Sequence, residues 1–364
     1  MVDSSQRIRS EQLKPPVTRV GATGWVRANL FSSVFNSFLT IVTLYLLWKI
    51  VPGLIRWAFI DSSWATTGAE CRVGGGACWS IVTKNLRFIL FGFFPYEWQW
   101  RPLLAMIILF TLLFVSRNRR YWKKWLGYAW LIGLFVMGLL MKGGLFGLPS
   151  VESTKWSGLP LTLLLSVFGL TAAYPLGVLL ALGRQSKMPA IKSLCIVYIE
   201  TIRGVPLISL LFMSSVMFPL FLPQGITINN ILRAQVAIIL FTAAYIAEVV
   251  RGGLQAIQKG QYEAAESLGL NYYQKMRLVI LPQALKIVIP PTVSQLISAF
   301  KDTSLVVIIG LFDLLKTTQV TLSNPRWMGF SVEAYLFIAL LYFAGCFSMS
   351  NYSRRLEREL YRGT

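Results

Sequence analysis

Eight apolar stretches, set apart by basic or aromatic residues, dominate this 364-residue chain. Crossing a hydrocarbon core about 30 Å thick takes roughly 17 to 25 residues of low polarity. On that measure spans are predicted at about 30–51, 102–116, 125–145, 160–182, 194–222, 231–250, 284–309 and 334–349. The second is short, and Trp98, Trp100 and Tyr121 stand where they can anchor it at the two interfaces. Residues 86–94 are apolar but too few to span, and read as an interfacial or re-entrant piece. Backbone groups in lipid must be satisfied within their own segment, so the fold class is an all-α integral membrane protein of about eight transmembrane helices.

Composition agrees: 55% of the residues are hydrophobic and only 14% charged. A formal charge of +20 would suit nucleic acid, but the cations gather in short segments between apolar runs, the pattern of the positive-inside rule. No nucleic-acid partner is expected. The chain has no histidine, which removes imidazole ligands and bases. Neither a catalytic constellation nor a metal-ligand cluster is legible, and the scattered carboxylates do not suit a membrane enzyme.

Lys and Arg counts over short loops set the orientation. The inner side takes the tail with Arg7, Arg9, Lys14, Arg19 and Arg27, the Arg117 to Lys124 run, the Arg184 to Lys192 turn, the loop from Arg251 to Lys286, and the end with Arg354, Arg355, Arg358 and Arg362. Both termini are therefore expected in the cytoplasm. The chain divides into a tail (1–28), three N-terminal helices with a long outer loop at 52–100 (29–148), a membrane core holding a polar inner loop at 251–283 (149–350), and a second tail (351–364). The polar, charged start precedes a full-length span and lacks a cleavable-signal pattern. Cys71 and Cys78 flank Gly74-Gly-Gly76 in the outer loop, where oxidation is permitted, and a disulfide is expected there. Gly-rich spacing lets the thiols meet without forcing it, so two free thiols are the alternative. Cys195 and Cys346 lie in apolar spans and read as core residues.

The inner loop is the most specific passage. Residues 255–268 read as one short amphipathic helix ended by Gly269 in a left-handed cap, and a second helix is predicted from Asn271, with Pro282 where the next span begins. Gly260, Tyr262 and Glu263 lie on the first helix; Ala264 and Ala265 are small enough to let a partner backbone approach, and Glu263 offers it a carboxylate. Charged groups inside apolar spans are the other candidates, since each costs several kcal/mol or must find a partner. They are Glu200, Arg203, Glu248, Lys301 and Asp302. Glu200 and Arg203, three apart, are placed to pair on one helix face, and Gly204 and Pro206 break that helix where a path can open. Arg203 suits a carboxylate as a bidentate donor, although an internal salt bridge near the cytoplasmic gate is the favoured reading of Glu200 and Glu248. Lys301 and Asp302 lie roughly 25 Å along a helix beyond the loop, with the hydroxyls of Thr303 and Ser304 beside them. Together they offer a donor for a carboxylate and an acceptor for an ammonium; a snorkelling Lys paired to Asp is the alternative.

Glu263-Ala264-Ala265, three residues, Gly269, nine residues, Val279, one residue, then Leu281-Pro282 resembles the coupling loop of ABC importer permeases, which usually carry Ile where Val279 stands. Tyr198-Ile-Glu-Thr-Ile-Arg-Gly-Val-Pro206, Ala244-Tyr-Ile-Ala-Glu-Val-Val-Arg-Gly-Gly253 and Lys301-Asp-Thr-Ser304 are similar to the polar amino acid (histidine/glutamine-permease-like) subfamily. The three extra N-terminal spans and the cysteine-bearing outer loop look like the M-type permease subunit of the bacterial general L-amino acid transporter. The resemblance implies a type I importer core of five helices preceded by three more, in a bacterial inner membrane. It implies as partners a second homologous permease, two copies of an ABC ATPase subunit, a periplasmic amino acid binding protein, membrane lipids and an L-amino acid substrate. The coupling residues it implies are Gly260, Tyr262, Glu263, Ala264, Ala265, Gly269, Leu281 and Pro282. No Gly-rich loop ending in Gly-Lys-Ser or Gly-Lys-Thr is present, so no cofactor is expected in this chain and ATP and Mg are used by the partner ATPase. Two alternatives stay open: a coupling or scaffold permease without its own substrate site, and an ion-driven secondary transporter.

Overall fold

The computed structural model describes residues 21–64, 67–145 and 147–361; Arg7, Arg9, Lys14, Arg19 and Arg362, on which the orientation argument draws, lie outside the described residues. The chain divides at Cys78 into two compact units.

In the first unit a short helix, α1 (Gly21–Asn29), precedes the apolar α2 (Val34–Ile55). Ser33 starts α2 by accepting a hydrogen bond from the Asn36 amide at 3.1 Å. A π-turn (Arg56–Ile60) prolongs it, giving a segment of 27 residues, enough to span. Beyond it the chain closes on itself: Ala77 donates its amide to Trp57, and Ser63 donates to Ala77, each at 2.8 Å. A single-turn helix, α3 (Gly68–Val73), is held by a capping box between Thr67 and Glu70. Cys71, on α3, is disulfide-bonded to Cys78 with Cα atoms 5.7 Å apart, as the spacing predicts.

The second unit opens with α4 (Ser80–Phe91), whose 12 residues are too few to cross, in keeping with the short apolar piece read in the sequence. The helices α5 (Trp100–Ser116) and α6 (Lys124–Lys142) form a hairpin packed through Ala105, Leu109, Leu134 and Met137. Arg101 is fully buried and closes the far end of this hairpin, donating to Leu140 O at 2.7 Å and Pro149 O at 3.0 Å. Met106 and Met141 of the hairpin pack with Phe91, Phe94, Val151 and Leu164, which join it to the remaining helices.

Five span-length segments follow. They are α7 (Gly158–Arg184), the pair α8 (Pro189–Gly204) and α9 (Leu207–Phe212), α10 (Asn230–Gln255), the α12–α13 helix (Tyr272–Lys275 and Leu281–Asp302), and α15 (Ser331–Tyr361). Among the described residues seven segments are long and apolar enough to cross, or eight if the bent α8–α9 pair is one span. That pair, predicted as a single span at 194–222, turns by 103° at Val205-Pro206, because Pro206 denies the helix a donor and disfavours a helical residue before it.

The most extensive packing is α7 on α10. Ala173, Ala181, Ala243, Ala244 and Ala247 are all fully buried, and small residues let the backbones come close. At Gly177 a Cβ would stand 2.6 Å from the Ile246 side chain, so only glycine fits. A further helix, α14 (Leu314–Leu322), sits between spans; its N-terminus is capped by the fully buried Asp313, which accepts from the Leu315 and Lys316 amides.

Candidate coupling element and charged hub

The polar loop folds as two helices at a fixed corner. The membrane helix α10 persists to Gln255, and only after residues 256–258 does α11 (Lys259–Ser267) begin, so the single helix predicted over 255–268 is two pieces. The sequence offers no Gly or Pro at that break. Gly269 has φ +71°, the left-handed conformation predicted for it. Its amide donates to Glu266 O and the next amide, of Leu270, to Ala265 O, which together make the Schellman pattern. Asn271 then caps the second helix, with Gln274 reaching back to the Asn271 amide. From there α12 runs through a π-turn (Met276–Ile280) straight into α13, so Pro282 lies inside a continuous rod instead of marking a break. A proline near a helix start forfeits little, and the preceding π-turn absorbs the mismatch.

Side chains brace this corner. The Tyr262 hydroxyl donates to Leu254 O at 3.2 Å, tying α11 to the end of α10. Gln283 donates to the Gln261 side chain at 3.0 Å, tying it to the start of α13. Across the corner Lys275 and Glu266 form an ion pair, which holds the Glu266 carboxyl below the usual carboxylate range. Burial pushes the Tyr262 phenol up, so it stays a neutral donor. Gly260, Glu263, Ala264 and Leu268 face outward, whereas Ala265 is 2% exposed, so its methyl meets this chain and not a partner. Leu281 is half-buried and Pro282 exposed.

Next to this element the intramembrane charges converge. Glu248, on α10, meets Arg184 Nη1 at 3.3 Å, Arg203 Nη1 at 3.6 Å and the Arg251 guanidinium, whose Nε lies 3.0 Å from both carboxylate oxygens. Arg184 also holds Glu200 at 2.8 Å. The helix-face pair expected between Glu200 and Arg203 is not among the ion pairs of the described residues; each is drawn to a neighbouring helix instead. Cross-helix partners win because they satisfy several charged groups at once, whereas an i,i+3 pair is worth only a few tenths of a kcal/mol. Arg184 and Arg251, read in the sequence only as orientation charges, are thus members of the hub. The spacing of Glu248 and Arg251 gave a signal for one; Arg184 needed the tertiary fold.

Lys301 and Asp302 end α13 and Thr303 and Ser304 follow directly, in different surroundings. Lys301 is exposed and forms no ion pair with Asp302 among those of the described residues. Asp302 lines a cavity of about 20 Å³, room for about one water, together with Thr242, Gln295, Ser298 and Thr303. The hydroxyls of Thr303 and Ser304 donate to Phe300 O and Lys301 O of their own helix, leaving only their lone pairs to offer. Below, Pro290 and Pro291 deny α13 two backbone hydrogen bonds, a point the sequence reading passed over and a natural place for the rod to flex.

The family described as "Binding-protein-dependent transport system inner membrane component" matches over residues 173–361. The inner membrane amino-acid ABC transporter permease protein YhdY of Escherichia coli is 48% identical, covering 93% of each chain. The glutamate/glutamine/aspartate/asparagine transport system permease protein BztC of Rhodobacter capsulatus is 39% identical, covering 98% of each. A crystal structure of an amino acid ABC transporter with histidines matches with a TM-score of 0.50 and 33% identity, covering 56% of this chain and 92% of that one.

Proposed function

The chain belongs to the family of binding-protein-dependent transport system inner membrane components, and from that premise we propose that it is the permease subunit of an ATP-driven importer of L-amino acids, general or polar in range. It lines a translocation path with a second, homologous permease, and receives the movement of two ATPase subunits at α11. A periplasmic binding protein delivers the substrate, and ATP with Mg is consumed by the ATPase chains. Both termini lie in the cytoplasm, on the side of the basic connections.

One observation carries this reading: α11 is an exposed helix clamped to α10 by Tyr262 and to α13 by Gln283, so a push on Glu263, Ala264 or Leu268 reaches two membrane helices. A flexible loop would dissipate that push. The Glu248 hub lies less than two turns of α10 from Leu254 and fastens the ends of α7, α8 and α10, where an inward gate belongs. Asp302, in a mixed cavity with Thr242, Gln295, Ser298 and Thr303, is the group on this chain best placed to receive a substrate ammonium. Rocking of the helices about such a site gives alternating access.

The test is to tag the C-terminus, extract the chain gently from its native membrane and identify its partners by mass spectrometry, then measure uptake in vesicles. Co-purification of an ATPase and a related permease, with uptake that fails on ATP depletion, is the expected result. Recovery of the chain alone, with uptake that follows an ion gradient, would make it a secondary transporter.

A further inference from the structure

The N-terminal hairpin has no place in the coupling scheme, yet its turn is unusual in charge and in construction. Residues 117–124 hold Arg117, Arg119, Arg120, Lys123 and Lys124 and no carboxylate. The side chains of Arg117, Arg120, Lys123 and Lys124 are exposed, and none of them is in an ion pair among the described residues. The turn is nonetheless firmly shaped. Trp122 Nε1 donates to Ser116 O at 2.8 Å and Trp130 Nε1 to Ser116 Oγ at 2.9 Å, which caps the end of α5. Asn118 accepts from the Arg120 amide at 3.0 Å. The Tyr352 hydroxyl approaches the same Ser116 carbonyl at 3.4 Å, which brings the last turns of α15 beside the hairpin turn. Those turns expose Arg354 and Arg358, neither of them in an ion pair among the described residues, and Arg355, which pairs with Glu359.

Two basic segments more than 200 residues apart in sequence are therefore side by side at one end of the bundle. Depth decides what they meet. The connection between α5 and α6 covers residues 117–123 only, so it cannot rise far above the ends of two membrane-crossing helices. Tyr121, Trp122 and Trp125 surround it, 44–45% exposed, the residue types that settle at headgroup level. A protein partner is better met by α11, which stands beyond the end of α10. At headgroup depth the abundant anion is the lipid phosphate, and clustered Lys and Arg next to a span attract it.

We propose that residues 117–124 and the arginines that end α15 form a binding site for anionic phospholipid headgroups, joining the N-terminal hairpin to the last core helix through shared lipid. The guanidiniums of Arg117 and Arg120 serve as bidentate phosphate donors and Lys123 and Lys124 as point charges. This gives the hairpin a role that does not depend on the transport reading above.

The experiment uses the whole transporter in nanodiscs of phosphatidylcholine and phosphatidylglycerol, and counts by native mass spectrometry the lipids that stay bound after release. The wild type is expected to retain phosphatidylglycerol severalfold above its share of the mixture. R117Q/R120Q/K123Q/K124Q loses that enrichment, R117K/R120K keeps it, and K84Q/K142Q/K155Q/R326Q, which removes equal charge elsewhere, keeps it too. If the fourfold variant fails to assemble, R117Q/R120Q and K123Q/K124Q are read separately, each with a partial loss. Unchanged enrichment in the hairpin variants, or equal loss in the remote control, overturns the site. So does loss of another subunit from the complex with lipid retention intact, which would make the surface a protein contact. None of these readouts requires transport, so a failure here leaves the importer reading untouched, and the reverse holds.

Discussion

Glu248 on α10 receives Arg184, the last residue of α7, at 3.3 Å, and the same carboxylate is gripped from one turn further along by Arg251, whose Nη1 donates to Gln255 at 2.7 Å. The hub and the coupling element are thus linked along a single helix end. Three guanidiniums and two carboxylates leave it one positive charge in excess, and Glu248 is its centre.

Removing that centre by Glu248→Gln strips Arg203 and Arg251 of their carboxylate and leaves Arg184 with Glu200 alone. A fully buried pair would lose about 3–5 kcal/mol, but these side chains keep roughly a quarter of their surface in contact with solvent, so the loss is about 1–2 kcal/mol. The purified complex is expected to melt several degrees lower, and ATP hydrolysis to continue while uptake per ATP falls. Glu248→Asp should recover part of the coupling. Equal uptake per ATP in wild type and Glu248→Gln would show that the hub only holds helices together.

Gly269 sets the angle between α11 and α12 with φ +71°. An alanine there incurs a left-handed penalty of about 1–2 kcal/mol, whereas asparagine tolerates the region better. Gly269→Ala is expected to leave insertion and the melting of the spans unchanged and to lower ATP-driven uptake severalfold, with Gly269→Asn in between. Gly269→Pro should uncouple more strongly, since it also removes the amide that donates to Glu266 O. Wild-type coupling in all three would refute a rigid corner.

How much of this was legible depended on the range of the interaction. Gly269, Asn271 and the Cys71–Cys78 bridge were readable because each follows from a few neighbouring residues: a positive φ, a capping side chain, a short loop able to close. The bend at Pro206 was readable for the same reason. Glu200 and Arg203 misled, because local spacing offers a pair while α7 and α10 offer better partners that no local pattern reveals. The turned-in Ala265 and the different surroundings of Lys301 and Asp302 are matters of helix rotation. Rotation is fixed by packing against other helices, and a 3.6-residue period in a span apolar on all sides does not record it.

The Glu266 brace carries a pH signature. Its carboxyl is held below the usual carboxylate range, chiefly by the hydrogen bond from Lys275 and next by the charge of that ammonium. A carboxyl depressed by folding contributes fully above its ordinary range and loses the contribution as pH falls through the depressed value. Spin labels at Ser267 and Arg277, one on each side of the corner, are therefore expected to give a narrow distance distribution at neutral pH that broadens only in acid below the ordinary range. Glu266→Gln should be broad at every pH. A distribution that broadens near neutrality would mean another group holds the corner.

Asp302 and Lys301 are neighbours in sequence with different surroundings, and the proposed path requires them to behave differently. Asp302 lines a small cavity with Gln295 and Thr242, while Lys301 is exposed and outside that lining. If the carboxylate meets a substrate ammonium, Asp302→Asn removes a charge-assisted hydrogen bond worth about 1.5–3 kcal/mol, or roughly a 10- to 150-fold loss in apparent affinity. The change should appear in the concentration of substrate that half-saturates uptake, with ATP hydrolysis and assembly intact. Lys301→Met is expected to alter uptake less than twofold, since that ammonium is not part of the Asp302 cavity lining. Should Asp302→Asn transport with unchanged rate and selectivity, the site belongs to the second permease, and this chain couples without binding.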